Sequence, residues 1–335
     1  MFSLLVHCVK MMSVGAATLA AAAIAHAATD IQAALDTAAP GDTIQVAAGS
    51  YGVQQLGGVS FDEPVTLVFD ENAYVERLIL RFATGVHFDN LHIESGPATN
   101  PHSENALMVF GGGDILFRRA SFAWARDGDP LNDGTLLVFD GVAGVAVKES
   151  HFSDAREALM IRSSQDVQII GNHFTEILED AIVIAGSDRV TIDQNLCTDF
   201  TASADPHAHP DCIQLQAGGR AVANTDVTIS NNVIMQGVGD KAQPIFIGSR
   251  HIGVPHIGVV VEKNVTRQST AIGIHIGNTN DLVVRGNQVL PSTQADAPPR
   301  ILVRAPGENI LIEDNIAAQV RGPVGAIVQN NTIPN

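Results

Sequence analysis

Three acidic residues, Glu157, Asp180 and Asp211, recur at the same place in a repeated strand pattern. Each begins a run in which apolar residues alternate with others, and aligning the runs puts the three acids in one column. If the runs are stacked strands, neighbouring carboxylates lie about 4.7–4.9 Å apart and repel each other. A bound cation, a shared proton or a substrate must compensate, so this column is the strongest candidate site. The alternative is that these side chains cap backbone amides where strands begin.

Two histidines lie immediately before the third acid, in the segment Asp205-Pro206-His207-Ala208-His209-Pro210. An imidazole can act as a base or a metal ligand near neutral pH, and catalytic groups are often on loops above a rigid scaffold. His207 and His209 are therefore candidate proton acceptors. The alternative is a solvated loop in which the prolines set the turns.

Other polar residues are expected near the same surface. The third and fifth places of each aligned strand should point inward, and the fourth and sixth should point to solvent. The candidates for contacting sugar hydroxyls or carboxylates are Arg162, Gln214, Gln216 and His275. The candidates for stabilising negative charge during a reaction are Lys241 and Arg250. Each of them, taken alone, also has the character of an ordinary surface residue.

The elements that must position these residues form nine repeated units, such as Val167/Ile169/Asn172/Phe174, whose corners fall 22 to 37 residues apart. The period of two within each unit indicates strand, and the spacing is typical of one solenoid turn with loops of variable length. From the fourth unit onward the corner is always Asn, which tolerates left-handed backbone and can bond to the same amide one turn away. The pattern predicts an all-β fold, a right-handed parallel β-helix, because a β-sandwich would show tighter turn signals every 8–12 residues.

The ends of the sequence predict a signal and a cap. Residues 1–27 carry one Lys, no acidic residue, an apolar run and Ala25-His26-Ala27, which is typical of a cleaved secretory signal. Residues 28–335 are then predicted to form one β-helix domain of roughly eleven turns, secreted or periplasmic, monomeric and not inserted in a membrane. A short amphipathic helix at 29–36 is expected to cover the open end of the solenoid.

The charge balance limits the possible partners. The sequence has 36 acidic and 19 basic residues, with a formal net charge of −17. Such a surface argues against binding nucleic acid or anionic membranes, and it opposes an anionic polysaccharide unless cations or a local basic patch intervene. Beyond the signal, Cys197 and Cys212 remain. They could pair in an oxidising compartment or pack separately in the core, and the sequence leaves both possibilities open.

The segment 31–51, IQAALDTAAPGDTIQVAAGSY, closely resembles the N-terminal cap and first turn of the pectate lyase-like β-helix superfamily, and the later repeats resemble it too. Within that superfamily, Asp180 and Asp211-Cys212-Ile213 are similar to the strands that carry the acid pair of polygalacturonases. Asp205-Pro206-His207 is similar to the Asp-Pro-His motif of alginate C5-epimerases. The resemblance implies a β-helix that acts on a polysaccharide.

We therefore expect a lyase or C5-epimerase of an acidic, uronic acid-containing polysaccharide. Both activities begin by removing the C5 proton while the adjacent carboxylate is neutralised. Glu157, Asp180 and Asp211 could hold Ca²⁺, which prefers six to eight oxygen ligands. His207 or His209 would take the proton, and Asp180 and Asp211 would bind the cation or orient the base. Two alternatives remain: a polygalacturonase-like hydrolase that uses two carboxyls of the column, and a non-catalytic carbohydrate-binding or cell-surface protein.

Overall fold

The computed structural model describes residues 30–124, 127–217, 222–248, 254–295, 297–304 and 306–334. The chain winds as a right-handed parallel β-helix, and most turns add one strand to each of three faces. The sequence prediction of the fold class is confirmed. The predicted signal segment 1–27 and the candidate residue Arg250 lie outside the described residues.

Sheet A has 21 strands in the described part of the chain and bends into two faces. The strands of face 1 are Val53–Gly57, Thr135–Asp140, Glu157–Arg162, Ile182–Ala185, Asp211–Gln216, Gln243–Ile247, Ile272–Ile276, Arg300–Val303 and Val320–Arg321. Those of face 2 are Thr43–Val46, Ser60–Phe69, Ala143–Lys148, Gln165–Ile170, Asp188–Asp193, Thr225–Ser230, His256–Glu262, Thr279–Arg285, Ile310–Glu313 and Ile327–Gln329. Two long strands pass through both faces, Arg77–Asp89 and Asn105–Arg118.

Sheet B has 11 short strands among the described residues, which agrees with the expected eleven turns. They are Gly49–Ser50, Ala73–Val75, His92–Glu94, Ser121–Ala123, His151–Ser153, His173–Thr175, Leu196–Thr198, Val233–Met235, Val265–Gln268, Gln288–Pro291 and Ile316–Ala317. Inward side chains of all three faces form one continuous core. Within it, Phe122, Phe152 and Phe174 stack at ring-centroid distances of 4.6 and 4.8 Å. A single turn could not bury this surface, so stacking is what makes each turn stable.

The corner asparagines form a hydrogen-bonded ladder between face 2 and sheet B. In each neighbouring pair the Nδ2 amide donates to the next Oδ1 at 2.9–3.0 Å. The members are Asn172, Asn195, Asn232, Asn264, Asn287, Asn315 and Asn331, the last of which the repeat pattern did not include. The left-handed backbone, however, belongs to the residue before each corner, for example Gln194 at φ 57° and Lys263 at φ 55°. Asn is therefore placed there for its amide, and the expectation that it supplies left-handed backbone is wrong.

A second ladder lies at the turn between faces 1 and 2. The Ser164 N–H donates to Ser187 Oγ, the Ser187 N–H to Asn224 Oδ1, and the Asn224 N–H to His256 Nδ1, at 2.9–3.2 Å. His256 is fully buried, and its Nε2 lies 3.2 Å from the Gly248 carbonyl oxygen. Because three residue types share one role, no repeated letter marks this ladder in the sequence.

The open N-terminal end is capped by a helix, α1, at Ile31–Thr37. The Asp30 side chain accepts a hydrogen bond from the Ala33 N–H, which is typical of an N-cap. Ile31 and Leu35 are buried against the first turns, and the Gln32 amide exchanges hydrogen bonds with the Gly57 backbone. The predicted cap is confirmed. A membrane-spanning helix is not found among the described residues, whose single α-helix is seven residues long.

Candidate active site

The three predicted acids lie in one column at the start of face 1. Leu159 pairs with Ile182 and Ile182 with Ile213, which places Glu157, Asp180 and Asp211 on three successive turns. The backbone confirms this register, because the Ala158 N–H donates to the Asp180 carbonyl and the Ala181 N–H to the Asp211 carbonyl. We call these three residues the acidic column. The alignment on which the site hypothesis depends is therefore correct.

Each acid of the column has a different hydrogen-bond partner. Thr135 Oγ1 donates to Glu157 at 3.0 Å, and Gln214 Nε2 donates to Asp211 at 2.7 Å. Asp180 Oδ1 accepts from the Asp211 backbone N–H at 3.0 Å. Backbone capping thus explains the placement of Asp180 but not that of the other two acids.

Burial makes the acidic column retain protons. It raises the pKa of Asp211 to about 7. It also raises the pKa of Asp180 well above its ordinary value, with a further increase from the charge of Asp211. The pKa of Glu157 is raised by burial as well, although the Thr135 hydroxyl opposes the increase. Near neutral pH, Asp180 and Asp211 are therefore suited to share one proton, because like charges on neighbouring turns repel each other.

One loop lies beside the acidic column and carries the predicted histidines. The His207 N–H donates to Asp205 Oδ1 at 2.9 Å, while the side chains of His207 and His209 are exposed. Lys241, on a later loop, is exposed too. These positions leave the proposed proton-transfer roles as predictions, since the described contacts do not join either imidazole to the acids.

The loop is closed by a disulfide between Cys197, in the sheet B strand Leu196–Thr198, and Cys212, in face 1. Of the two possibilities that the sequence left open, the structure has the pairing. Cys212 is adjacent to Asp211, so the covalent link holds the end of the loop next to the acidic column. Longer connections enter face 1 from sheet B at 95–104, 124–134, 199–210, 236–242 and 292–299.

The outer surface of face 1 carries the predicted substrate contacts. Arg162 pairs with an acid on the previous turn, Asp140, at 3.1 Å. Gln214 and Gln216 are half-buried and point outward beside the acidic column. His275 aligns with Phe246 and Gln214, two places from the position that the sequence alignment gave it. A slip of two residues preserves the alternation of apolar side chains, so periodicity could not detect it.

Part of this outer surface is apolar and covered. Val138 and Val183 occupy the outward fourth place but are 3% and 1% exposed. Val138 lies between the longer side chains of Met108 and Met160 on the adjacent turns. Val183 lies between those of Met160 and Gln214. Neighbouring strands are only about 4.8 Å apart, so these long side chains shield a short one. The expectation of a solvated fourth place is wrong at Val183, and the sequence alignment did not include the strand of Val138.

The sequence agrees with these observations at the level of the family. The sequence model described as "Right handed beta helix region" matches residues 78–242 and 137–289. The chain belongs to the right-handed β-helix family. No curated protein matches it in sequence.

Solved structures similar to this β-helix protein have diverse named activities. One is a mannuronic acid specific polysaccharide family 6 lyase from human gut microbiota, with 12% identity, a TM-score of 0.54, and coverage of 89% of this chain and 79% of that one. Another is PfbA, a surface adhesin of Streptococcus pneumoniae, with 13% identity, a TM-score of 0.58 and coverage of 91% and 87%. A third is the GH136 lacto-N-biosidase from Eubacterium ramulus, with 11% identity, a TM-score of 0.53 and coverage of 88% and 62%. At these identities the likeness shows the fold.

A buried arginine near the acidic column was missed by the sequence reasoning. Arg156 is 6% exposed, and its guanidinium lies 2.6 Å from Glu179 and 3.5 Å from Asp205. It therefore connects two turns of the β-helix with the histidine loop. A signal was available, because Arg156 and Glu179 each come directly before an acid of the column in the aligned repeats.

The acidic column does not have the arrangement of a preformed metal site. Among the residues that the structure describes, no three His, Cys, Asp or Glu side chains are grouped to hold a metal ion. The oxygens of Asp180 and Asp211 instead accept hydrogen bonds, and burial raises the pKa of both acids. Calcium binding by Glu157, Asp180 and Asp211 stays a prediction, and no chemical step below depends on it.

Proposed function

We propose that the protein is exported and acts on a uronic acid-containing polysaccharide, by β-elimination or C5-epimerisation at the acidic column. The observation that carries this proposal is the buried set of three stacked carboxyls with raised pKa values, beside a loop with two exposed imidazoles. Buried acids with perturbed pKa values are common at active sites, because catalytic acids and bases need pKa values that suit their task.

The first requirement of this chemistry is to neutralise the substrate carboxylate. A protonated carboxyl can donate a short hydrogen bond to that anion, which increases the acidity of the C5 proton. Asp211 or its neighbour Asp180 would donate this hydrogen bond, because the raised pKa values of the pair, about 7 for Asp211, let one of the two keep a proton near neutral pH. Protonation of the column also lowers the negative charge next to the substrate, in a protein whose formal net charge is −17.

The second requirement is a base for the C5 proton. His207 or His209 would take it, because both side chains are exposed on the loop that ends at Asp211. In elimination, the electrons of the C5–H bond form the C4–C5 double bond as the C4–O bond breaks, and the departing oxygen takes a proton. In epimerisation, a proton returns to the opposite face of C5. Lys241 or Arg250 would stabilise the negative charge that develops meanwhile.

Substrate binding is assigned to the outer surface of face 1. Arg162, Gln214, Gln216 and His275 offer polar groups there. The His275 ring meets the Phe246 ring edge-on at 5.2 Å, so an apolar surface lies beside the polar one. Sugars bind well to such surfaces, since they have apolar ring faces and polar edges.

Hydrolysis is a second candidate, favoured by the mutual dependence of Asp180 and Asp211. Two carboxyls one strand apart, one protonated and one ionised, are the minimum for glycoside hydrolysis. The similar structures include both a polysaccharide lyase and a lacto-N-biosidase, which supports polysaccharide chemistry without choosing between the mechanisms. The similarity to an adhesin supports a third outcome, binding without catalysis.

Analysis of the products distinguishes these outcomes. The purified protein should be incubated with a panel of polyuronates and neutral glycans, with and without a chelator, and assayed for ultraviolet absorbance and reducing ends. Elimination yields an unsaturated sugar that absorbs in the ultraviolet, whereas hydrolysis yields reducing ends alone. Epimerisation yields neither product but exchanges the C5 hydrogen with deuterium when the reaction runs in D₂O. Binding to a uronan with neither product and no exchange at C5 would therefore reject catalysis, and activity restricted to neutral glycans would reject the assigned substrate class.

A further inference from the structure

A second group of acids lines a separate cavity at the loop 127–134. The cavity has a volume of about 150 Å³ and is open to solvent on one side. Its lining residues come from this loop and from three later turns: Gly128, Asp129, Pro130, Asp133, Asp154, Glu176 and Thr201. None of the residues in this lining is basic, and none belongs to the acidic column.

Two oxygens of this lining are buried without a hydrogen-bond partner. Asp133 is 2% exposed, and its Oδ1 accepts no hydrogen bond. Thr201 Oγ1 is also inaccessible and unpaired. A buried polar atom without a partner costs about 1–3 kcal/mol, and more if it is charged, so both oxygens would gain from coordinating a ligand.

The lining indicates the sign of the ligand. Four of its residues are acidic, Asp129, Asp133, Asp154 and Glu176, and no residue of the lining is basic. Such a lining favours a cation over an anion.

We propose that this cavity binds a calcium ion, with Asp133 Oδ1 and Thr201 Oγ1 among its ligands. Calcium takes six to eight oxygens, including carboxylates, hydroxyls, backbone carbonyls and water, at flexible geometry. The cavity presents oxygen ligands and is built mainly from loops, which favours calcium over magnesium with its strict octahedron. Since no three acidic side chains of the described residues are grouped for a metal, at most two carboxylates bind directly, and hydroxyl, carbonyl and water oxygens complete the shell.

The local sequence matches this chemistry. In Asp127-Gly128-Asp129-Pro130-Leu131-Asn132-Asp133, four of seven side chains end in oxygen ligands. Asp127 and Asp129 already accept hydrogen bonds from within the loop, so they shape it, and Asp133 Oδ1 remains unpaired. A bound ion would join this loop to the turns that carry Glu176 and Thr201, and so fix one wall of the entrance to face 1.

The test compares thermal unfolding in chelator with thermal unfolding in added Ca²⁺ or Mg²⁺, and calorimetric titration of Ca²⁺ gives the stoichiometry. Wild type should bind one Ca²⁺ at this cavity and show a higher Tm in Ca²⁺ than in chelator. In Asp133→Asn the Tm should not respond to Ca²⁺, because the carboxylate ligand is gone. Thr201→Val should weaken Ca²⁺ binding by about tenfold, the cost of one oxygen ligand.

Two controls identify the site. Asp62→Asn makes the same change at an exposed position of face 2 and should keep the full response to Ca²⁺. Asp180→Asn should keep it as well, since that residue belongs to the acidic column. The proposal is overturned if wild type shows no Ca²⁺ response, or if Asp133→Asn and Thr201→Val respond as wild type does. A response lost only in Asp180→Asn would move the ion to the acidic column. If Asp133→Asn does not fold, the Thr201→Val titration decides.

Discussion

Replacing Asp211 with Asn should remove the pH dependence of stability that this acid causes. Burial raises the pKa of Asp211 from 3.8 to about 7. Between these values the folded protein keeps a proton that the unfolded chain has lost. The stabilising contribution is therefore complete at low pH and disappears as pH rises through about 7. Asn has nearly the same shape and does not ionise, so the variant should lack this decline.

The structure gives the size of the effect. A pKa raised from 3.8 to about 7 corresponds to about 4 kcal/mol in the free energy of unfolding. Asp211 is 7% exposed, so solvent screens little of this cost. The Asn side-chain oxygen can still accept the hydrogen bond from Gln214 Nε2. We expect equal stabilities at the acid end of this range, and a variant more stable by about 4 kcal/mol above pH 7.

Urea unfolding of wild type and variant across this pH range measures the difference. Asp193→Asn is the matched control of opposite sign. Burial opposes the change, but hydrogen bonds from Ser230, Asn231 and Gln194 lower the pKa of Asp193, so that variant should lose stability relative to wild type as pH rises. A difference between wild type and Asp211→Asn that does not change with pH would refute the electrostatic description of the acidic column.

Three further predictions concern the ladders and the loop. Burial lowers the pKa of His256 below 6.5, so stability should fall as pH drops below that value. His256→Asn keeps a side chain that can accept the ladder hydrogen bond and should remove this pH dependence, as measured by unfolding at several pH values. An unchanged pH profile would contradict the prediction. Asn232→Ala loses four ladder hydrogen bonds and should cost about 4 kcal/mol in the free energy of unfolding, measured with urea. Asn331→Ala, at the exposed end of the ladder, should cost less. Equal losses would show that burial does not strengthen these hydrogen bonds. Replacing Cys197 and Cys212 together with Ala should lower the free energy of unfolding by about 3 kcal/mol, as expected for a closed loop of this length. Thermal unfolding with and without reductant measures this loss. No change would mean that the bond is not formed.

The fold could be predicted because its information is local and repeated. The alternation of apolar residues and the constant Asn corner identify strands, turns and stacking without any knowledge of distant contacts. The acidic column followed from the same alignment, since Glu157, Asp180 and Asp211 each begin a strand of similar pattern. The histidine loop was found through its composition and its position before Asp211.

The features that were missed depend on contacts rather than on letters. The second ladder uses Ser, Asn and His for the same task, so no residue type recurs. The buried Arg156 was overlooked because its role depends on Glu179 one turn away and Asp205 on a loop. The position of His275 was wrong by two residues, which period-two alternation cannot reveal. In each case the sequence pattern is compatible with several registers or partners, and three-dimensional packing selects one.

Proton nuclear magnetic resonance of polyuronates incubated with the protein in D₂O tests the central claim most directly. Removal of the C5 proton produces either deuterium at C5 or the olefinic signal of an unsaturated sugar, whereas hydrolysis and simple binding leave C5 unchanged. We predict one of these two signals with wild type, and a rate lower by about 10²–10⁴-fold when Asp211→Asn and His207→Ala are combined. An unaltered C5 in every polyuronate, or equal rates for wild type and the double variant, would contradict the account.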